Sequence, residues 1–135
     1  MYNPPCQSQV SQTNCRSLLP DAANPERHLS DEQIKALAAR NGKIGINFFA
    51  RFLIPASELP HRRPTIADIL RHIQHIENIA GRRDLLALGT DMDSGFNTNL
   101  LPADLQSPKD LPRLAEALSN AGWTDQEIRN FAWAW

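Results

Sequence analysis

The sequence predicts an α/β fold with parallel strands, on three observations. Two short apolar runs, Lys43–Phe49 and Leu85–Gly89, are β-prone along their length, as suits strands covered on both faces. A full helical pattern between Thr65 and Gly81 separates them, long enough for a crossover between parallel neighbours. Helical patterns also precede the first run and follow the second, the rhythm of βαβ units.

Local signals place each element in turn. The stretch up to Cys15 carries no charge and Val10 as its one large aliphatic residue, so it reads as loose chain, with the remnant of a strand around Val10–Thr13. Ser30 with Gln33 forms a capping box, Leu29 staples against Ile34, and Ile34, Leu37 and Ala38 give an apolar stripe. This predicts a helix over Asp31–Asn41 with Gly42 as its C-terminal cap. The second helix is announced by Pro64-Thr65 and Asp68. Its face is Ile66, Ile69, Leu70, Ile73, Ile76 and Ile79, and Gly81 ends it. Asp110 is expected to cap a helix over Leu111–Ala121, and Thr124 with Glu127 forms a further capping box before Ile128.

Composition narrows the function classes. The 135 residues suit one domain or a piece of a larger one, and 41% hydrophobic against 21% charged residues implies a packed core. Fourteen Lys and Arg against fifteen Asp and Glu leave a net charge of −1, with no basic excess to meet phosphates, so no nucleic-acid partner is expected. No apolar run approaches the roughly 20 residues of a membrane helix. The opening MYNPPCQSQV has neither the basic start nor the apolar segment of a signal peptide, so the sequence names no compartment beyond a cytoplasmic default. Cys6 and Cys15 are too few for a disulfide scaffold and lack zinc-knuckle spacing.

In α/β folds chemistry gathers where strands end. Asn47-Phe48-Phe49 leaves the first apolar run, and Asp91 and Asp93 leave the second between Gly89 and Gly95. Such a carboxylate pair suits acid/base work or metal binding, and equally suits the capping of a turn. His72 and His75 have a possible metal-ligand spacing, but they sit among Asp68, Arg71 and Asn78, opposite the isoleucines, which favours a solvated polar face. His61-Arg62-Arg63 reads as a solvated charge run rather than an anion site. Trp123, Trp133 and Trp135 read as packing residues, since few basic residues interleave with them.

Four segments together resemble the C-terminal part of the renal (membrane) dipeptidase family. They are Arg27–Leu53, Thr65–Gly81, Leu86–Phe96 (LALGTDMDSGF) and Asp110–Ile128, in the family's order. The resemblance implies a C-terminal fragment of a (β/α)8 amidohydrolase-type barrel, with two to three parallel strands and covering helices over 27–135, preceded by a loose, poorly matching segment over 1–26. It implies zinc as cofactor and a dipeptide as substrate. Asp91 matches the family's proton-shuttling aspartate, and Arg27 the arginine that holds the substrate carboxylate. His28 stands where many members have Asn. Asp93, His28 and Asn47 are secondary candidates. The family's zinc-binding histidine lies in a Ser-His-Ser/Ala-Asn segment, which is matched here by Ser11-Gln12-Thr13-Asn14. Gln12 therefore stands at the ligand position, and its neutral amide is a far weaker zinc donor than imidazole. The family's other ligands would lie upstream of residue 1.

Two functions follow as expectations. One is a zinc-dependent dipeptidase of which this chain is the C-terminal portion, inactive by itself. The other is a non-catalytic relic, or a module that completes another chain. Strands cut from a barrel leave open edges and an open barrel-interior face, so self-association is also expected.

Overall fold

The computed structural model describes residues 9–21, 28–89 and 100–132. In chain order it places β1 (Gln9–Thr13), α1 (Asp31–Ala39), β2 (Lys43–Ile46), α2 (Ile66–Ala80), β3 (Leu86–Leu88), α3 (Leu111–Asn120) and α4 (Asp125–Ala132). The strands lie side by side in the order β1-β2-β3, and both pairs are parallel. The strand remnant foreseen around Val10–Thr13 is thus a full member of the sheet, pairing Val10 with Ile44 and, across an irregularity, Thr13 with Ile46.

The register explains which residues face the helices. Ile44 pairs with Leu86 and Ile46 with Leu88, so these four side chains share one face of the sheet. That face packs on the α2 stripe, where Ile69, Ile73 and Ile76 are fully buried and Ile66 nearly so. The opposite face carries Gly45 against Ala87, and both residues are buried. The open interior face expected from the sequence is therefore not observed at these two positions.

Capping follows the sequence with two corrections. Ser30 and Gln33 exchange both bonds of their box, as do Thr124 and Glu127. Gly81 ends α2 in the left-handed region at φ 73°, a conformation that costs glycine nothing. At the end of α1, however, Asn41 rather than Gly42 takes the left-handed conformation, at φ 56°. Asn is the side chain that best tolerates it, and its Oδ1 accepts a 2.9 Å bond from Arg82. Asp110 does not cap α3 with its side chain. A 3-10 turn over Pro108–Asp110 runs straight into the helix, and the Asp110 carboxylate accepts instead from the Gln106 N–H.

At the C-terminal end Trp123 is buried, edge-on to Phe131, with the Arg83 guanidinium over its ring. It is a packing residue, as its surroundings in the sequence suggested. Trp133 and Trp135 lie outside the described residues. No helix among the described residues is long and apolar enough to cross a membrane.

Among the described residues, the outer edges of β1 and β3 have no strand partner. Beside the β3 edge, Leu88 joins Leu111, Leu114, Ile128 and Phe131 around an apolar groove of about 230 Å³. Unpaired parallel edges next to apolar surface invite association between chains. Size-exclusion chromatography with light scattering should show species larger than the 15.1 kDa monomer. A sharp monomer peak over a wide concentration range would refute this expectation.

Candidate functional site

The described polar groups at the carboxyl ends of the strands centre on Asn14, the first residue beyond β1, which is completely buried. Its side chain does the work of a further strand residue. Oδ1 accepts from the backbone N–H of Asn47 at 3.1 Å, and Nδ2 donates to the backbone carbonyl of the same residue at 3.0 Å. Nδ2 also donates to the carbonyl of Phe52 at 2.6 Å. β1 and β2 have diverged here, and one amide side chain holds their exits together.

Two histidines complete the end of β1. Backbone N–H groups only donate, so the ring nitrogens that meet them must be unprotonated acceptors. The N–H of Asn14 donates to Nδ1 of His28 at 3.3 Å, and that of Cys15 donates to Nδ1 of His72 at 3.2 Å. Both rings are therefore neutral with the proton on Nε2, and His72 passes its own to the carbonyl of Leu53 at 2.9 Å. His28 is brought into place because Leu29 bonds back to Asn14 and Arg16 through the main chain. Its ring stands edge-on to Phe52, which stands edge-on to Phe49.

Asn47, also fully buried, leaves β2 by a turn in which its Oδ1 accepts from the N–H of Phe49 at 2.7 Å. That bond fixes the amide's orientation and leaves Nδ2 with no hydrogen-bond partner. Gly89, at the exit of β3, donates its N–H to the carbonyl of Ile46 at 3.0 Å. A Cβ at position 89 would lie 3.0 Å from the Gly45 backbone, so any side chain there would crowd β2 and require its backbone to give way.

Of the site residues predicted from sequence, the structure brings His28 and Asn47 together around Asn14. Arg27, Asp91 and Asp93 lie outside the described residues, and for Gln12 only the backbone is described, within β1. His72 and Asp68 correct the expectation of a solvated polar face on α2, since both are buried. α2 is packed on more sides than its isoleucine stripe requires. His72 turns towards the exits of β1 and β2, and Asp68 is taken up by Arg62. Arg62 makes two parallel 2.9 Å bonds to Asp68, so this arginine's anion is internal. Burial works to raise the Asp68 carboxyl, but the Arg62 guanidinium and the Thr65 N–H outweigh it and hold it below the usual range.

Three further groupings can be tested as chemistry. Ser17, His75 and Asp31 form an apparent Ser-His-Asp set, with Ser17 Oγ at 3.0 Å and Asp31 Oδ1 at 2.7 Å from His75. Both contacts fall on the same nitrogen, Nε2. A proton there goes to the carboxylate, so the ring cannot accept the serine's proton, and the set is no nucleophilic triad. Cys15 is fully buried, and burial pushes its thiol up well beyond the ordinary cysteine range, which leaves it neither nucleophile nor thiolate ligand. The described residues do not fit zinc either. They hold no group of three or more His, Cys, Asp or Glu side chains placed for a metal, and both nitrogens of His72 are engaged.

Sequence reasoning missed Asn14 as a structural centre. Its signal was its place directly after the strand remnant Val10–Thr13, as Asn47 follows the first apolar run.

Comparison with known proteins adds the family. The family profile described as Membrane dipeptidase (Peptidase family M19) matches residues 10–134. An uncharacterized protein in the pqqA 5' region of Klebsiella pneumoniae is 32% identical over 124 residues, which is 92% of this chain and 42% of that protein. A metallo peptidase from Rhodobacter sphaeroides, liganded with a phosphinate mimic of the dipeptide L-Ala-D-Ala, superposes with a TM-score of 0.72 at 24% identity, over 92% of this chain and 33% of its own. An amidohydrolase from Pseudomonas aeruginosa gives 0.69 at 23% identity, over 89% of this chain and 41% of its own. The chain thus spans well under half the length of these relatives, and the fold it shares is a fragment of their (β/α)8 barrel.

Two stability predictions follow from this geometry. Burial lowers the His72 pKa from 6.5 to about 4. Between these values the unfolded chain binds a proton that the folded chain excludes, so stability rises with pH. The contribution of His72 is whole above about pH 6.5, falls as pH drops towards about 4 and then levels off, a total of about 3 kcal/mol. Urea midpoints measured from pH 7.5 to pH 4 should follow this slope in the parent and flatten in His72→Gln. Equal slopes would refute the assignment. Separately, Asn14→Ala should cost about 2–4 kcal/mol, because it orphans the buried N–H and carbonyl of Asn47 and the partly buried carbonyl of Phe52. Asn14→Asp should cost at least as much, since it sets a carboxylate against those carbonyls. A cost below 1 kcal/mol in either variant, by denaturant titration, would refute the bridging role (roughly one net hydrogen bond).

Proposed function

Because this chain belongs to the membrane dipeptidase family, we propose that it supplies the substrate-holding and proton-transferring side of a dipeptidase centre and is not competent for turnover alone. The placement of two sequence neighbours carries this reading. His28 is bonded to Asn14 just past the end of β1, and Gly89 is bonded to Ile46 where β2 and β3 end. Arg27 directly precedes His28, and Asp91 follows Gly89 by two residues. Ligands of parallel α/β sheets bind at that end of the strands.

In this proposal the planar fork of Arg27 grips the terminal carboxylate of a dipeptide. Asp91 takes a proton from the attacking water and gives it to the departing amine, so that one water and one peptide bond become an acid and an amine. His28 and Asn47 shape the site beside them, with Asp93 following Asp91. The family is one of metallopeptidases, and zinc is the metal the resemblance implies. The described residues offer no zinc site, and by the resemblance Gln12 stands where a ligand histidine would, so no step is assigned to a metal held by this chain.

A second reading, a non-catalytic module that completes another chain, is favoured by the unpaired outer edges of β1 and β3 among the described residues. The two readings differ in what binds. Purified with added zinc, the chain should hydrolyse alanyl-alanine no faster than background. It should nevertheless bind the dipeptide weakly, and Arg27→Ala should abolish that binding in calorimetry. Turnover that disappears in Asp91→Asn would show that the chain is a complete catalyst. Absence of dipeptide binding would leave the module reading in its place.

A further inference from the structure

The amide of Asn47 is the described group whose chemistry is left over. It is completely buried, its Oδ1 is taken by the Phe49 N–H, and its Nδ2 carries two donor hydrogens with no partner. A buried donor left unsatisfied is destabilising, and folded proteins rarely leave one at a position without a ligand or an ordered water. The position itself points to a ligand, for Asn47 is the first residue beyond β2, at the strand end where α/β sheets bind their substrates. The orientation of the amide is also enforced, since the backbone N–H of Phe49 meets only an oxygen. The site therefore presents a fixed donor rather than a rotatable side chain.

The surroundings select the acceptor. The described groups hydrogen-bonded with Asn47 are uncharged: the amide of Asn14, the main chain of Phe49 and, one bond further out, the His28 ring on the Asn14 N–H. A carboxylate held by these groups alone would lose its water without gaining a cation, whereas a neutral carbonyl needs only a donor, which leaves the charged end of a ligand to Arg27. We propose that Asn47 is a substrate-binding residue whose Nδ2 donates to the peptide carbonyl oxygen of a bound dipeptide. This rests on the dipeptide reading above and deepens it: Arg27 takes the charged end of the ligand and Asn47 the neutral amide.

Side-chain amide signals of the 15N-labelled full chain test the assignment directly. Titration with alanyl-alanine should move the Asn47 Nδ2 resonances saturably, and acetate at the same concentration should leave them in place. Asn47→Asp keeps an oxygen for the Phe49 N–H and removes the donor, so it should weaken dipeptide binding by about tenfold or more. Dipeptide-induced shifts around His28 with an unmoved Asn47 amide would overturn this inference, assign the donor to a resident water, and leave the dipeptide reading standing. An equal response to acetate would overturn the choice of a carbonyl, as would full affinity in Asn47→Asp. No shift anywhere on adding dipeptide would overturn both the dipeptide reading and the role of Asn47.

Discussion

Three segments of the chain converge on the buried imidazole of His72. The ring stands on α2, takes the N–H of Cys15 beyond β1 and gives its proton to Leu53 beyond β2. A sheet of short parallel strands has few ladder bonds of its own, and here its exits diverge as soon as the strands end. The neutral imidazole supplies an acceptor and a donor about a ring's width apart, which neither an amine nor a carboxylate can do. Apolar burial of the isoleucine stripe presses α2 onto the sheet, and this ring fixes how far along the strands the helix sits. Asn14 then closes the gap between the same exits from the other side.

The legibility of the sequence divides along physical lines. Capping boxes at Ser30 and Thr124, the isoleucine stripe of α2 and the two apolar runs are local patterns, and each becomes the element it describes. The misread features depend on partners distant in sequence. His72 and Asp68 look solvated because helical periodicity sets them apart from the isoleucines, yet Cys15, Leu53 and Arg62 come from other elements to meet them. Asp110 is the local exception, looking like a cap until the preceding turn diverts it to Gln106 four residues before it. β1 read as a remnant because its composition is polar, and it is pairing with β2 that makes it a strand. Of the site, the resemblance named Arg27, Asp91 and Gln12 by position in sequence, whereas the roles of Asn14 and Asn47 become visible only once their hydrogen bonds are counted.

Two asparagines one strand apart illustrate how the same side chain serves opposite ends. Asn14 spends every group of its amide on the protein and so behaves as backbone. Asn47 spends only its oxygen, to turn the chain away from the sheet. The difference lies in what each amide meets: Asn14 bridges the main chain of Asn47 and Phe52, whereas the Asn47 side chain bonds only within its own turn. Gly89 meanwhile lies against the Gly45 backbone with no side chain between them.

The side-by-side order of the strands also bears on how the chain comes off the ribosome. β1, β2 and β3 occupy the sheet in the order in which they are synthesised, each separated from the next by one crossover. Every strand therefore docks on an edge that already exists, and no strand must wait for a later one to be inserted beside it. The closure entropy is met one crossover at a time rather than across the whole length. By the time α2 has emerged, β1, β2 and the ring that ties them can all be in place, and β3 is an extension of an assembled edge. Among these three strands, sheet order and order of synthesis run the same way.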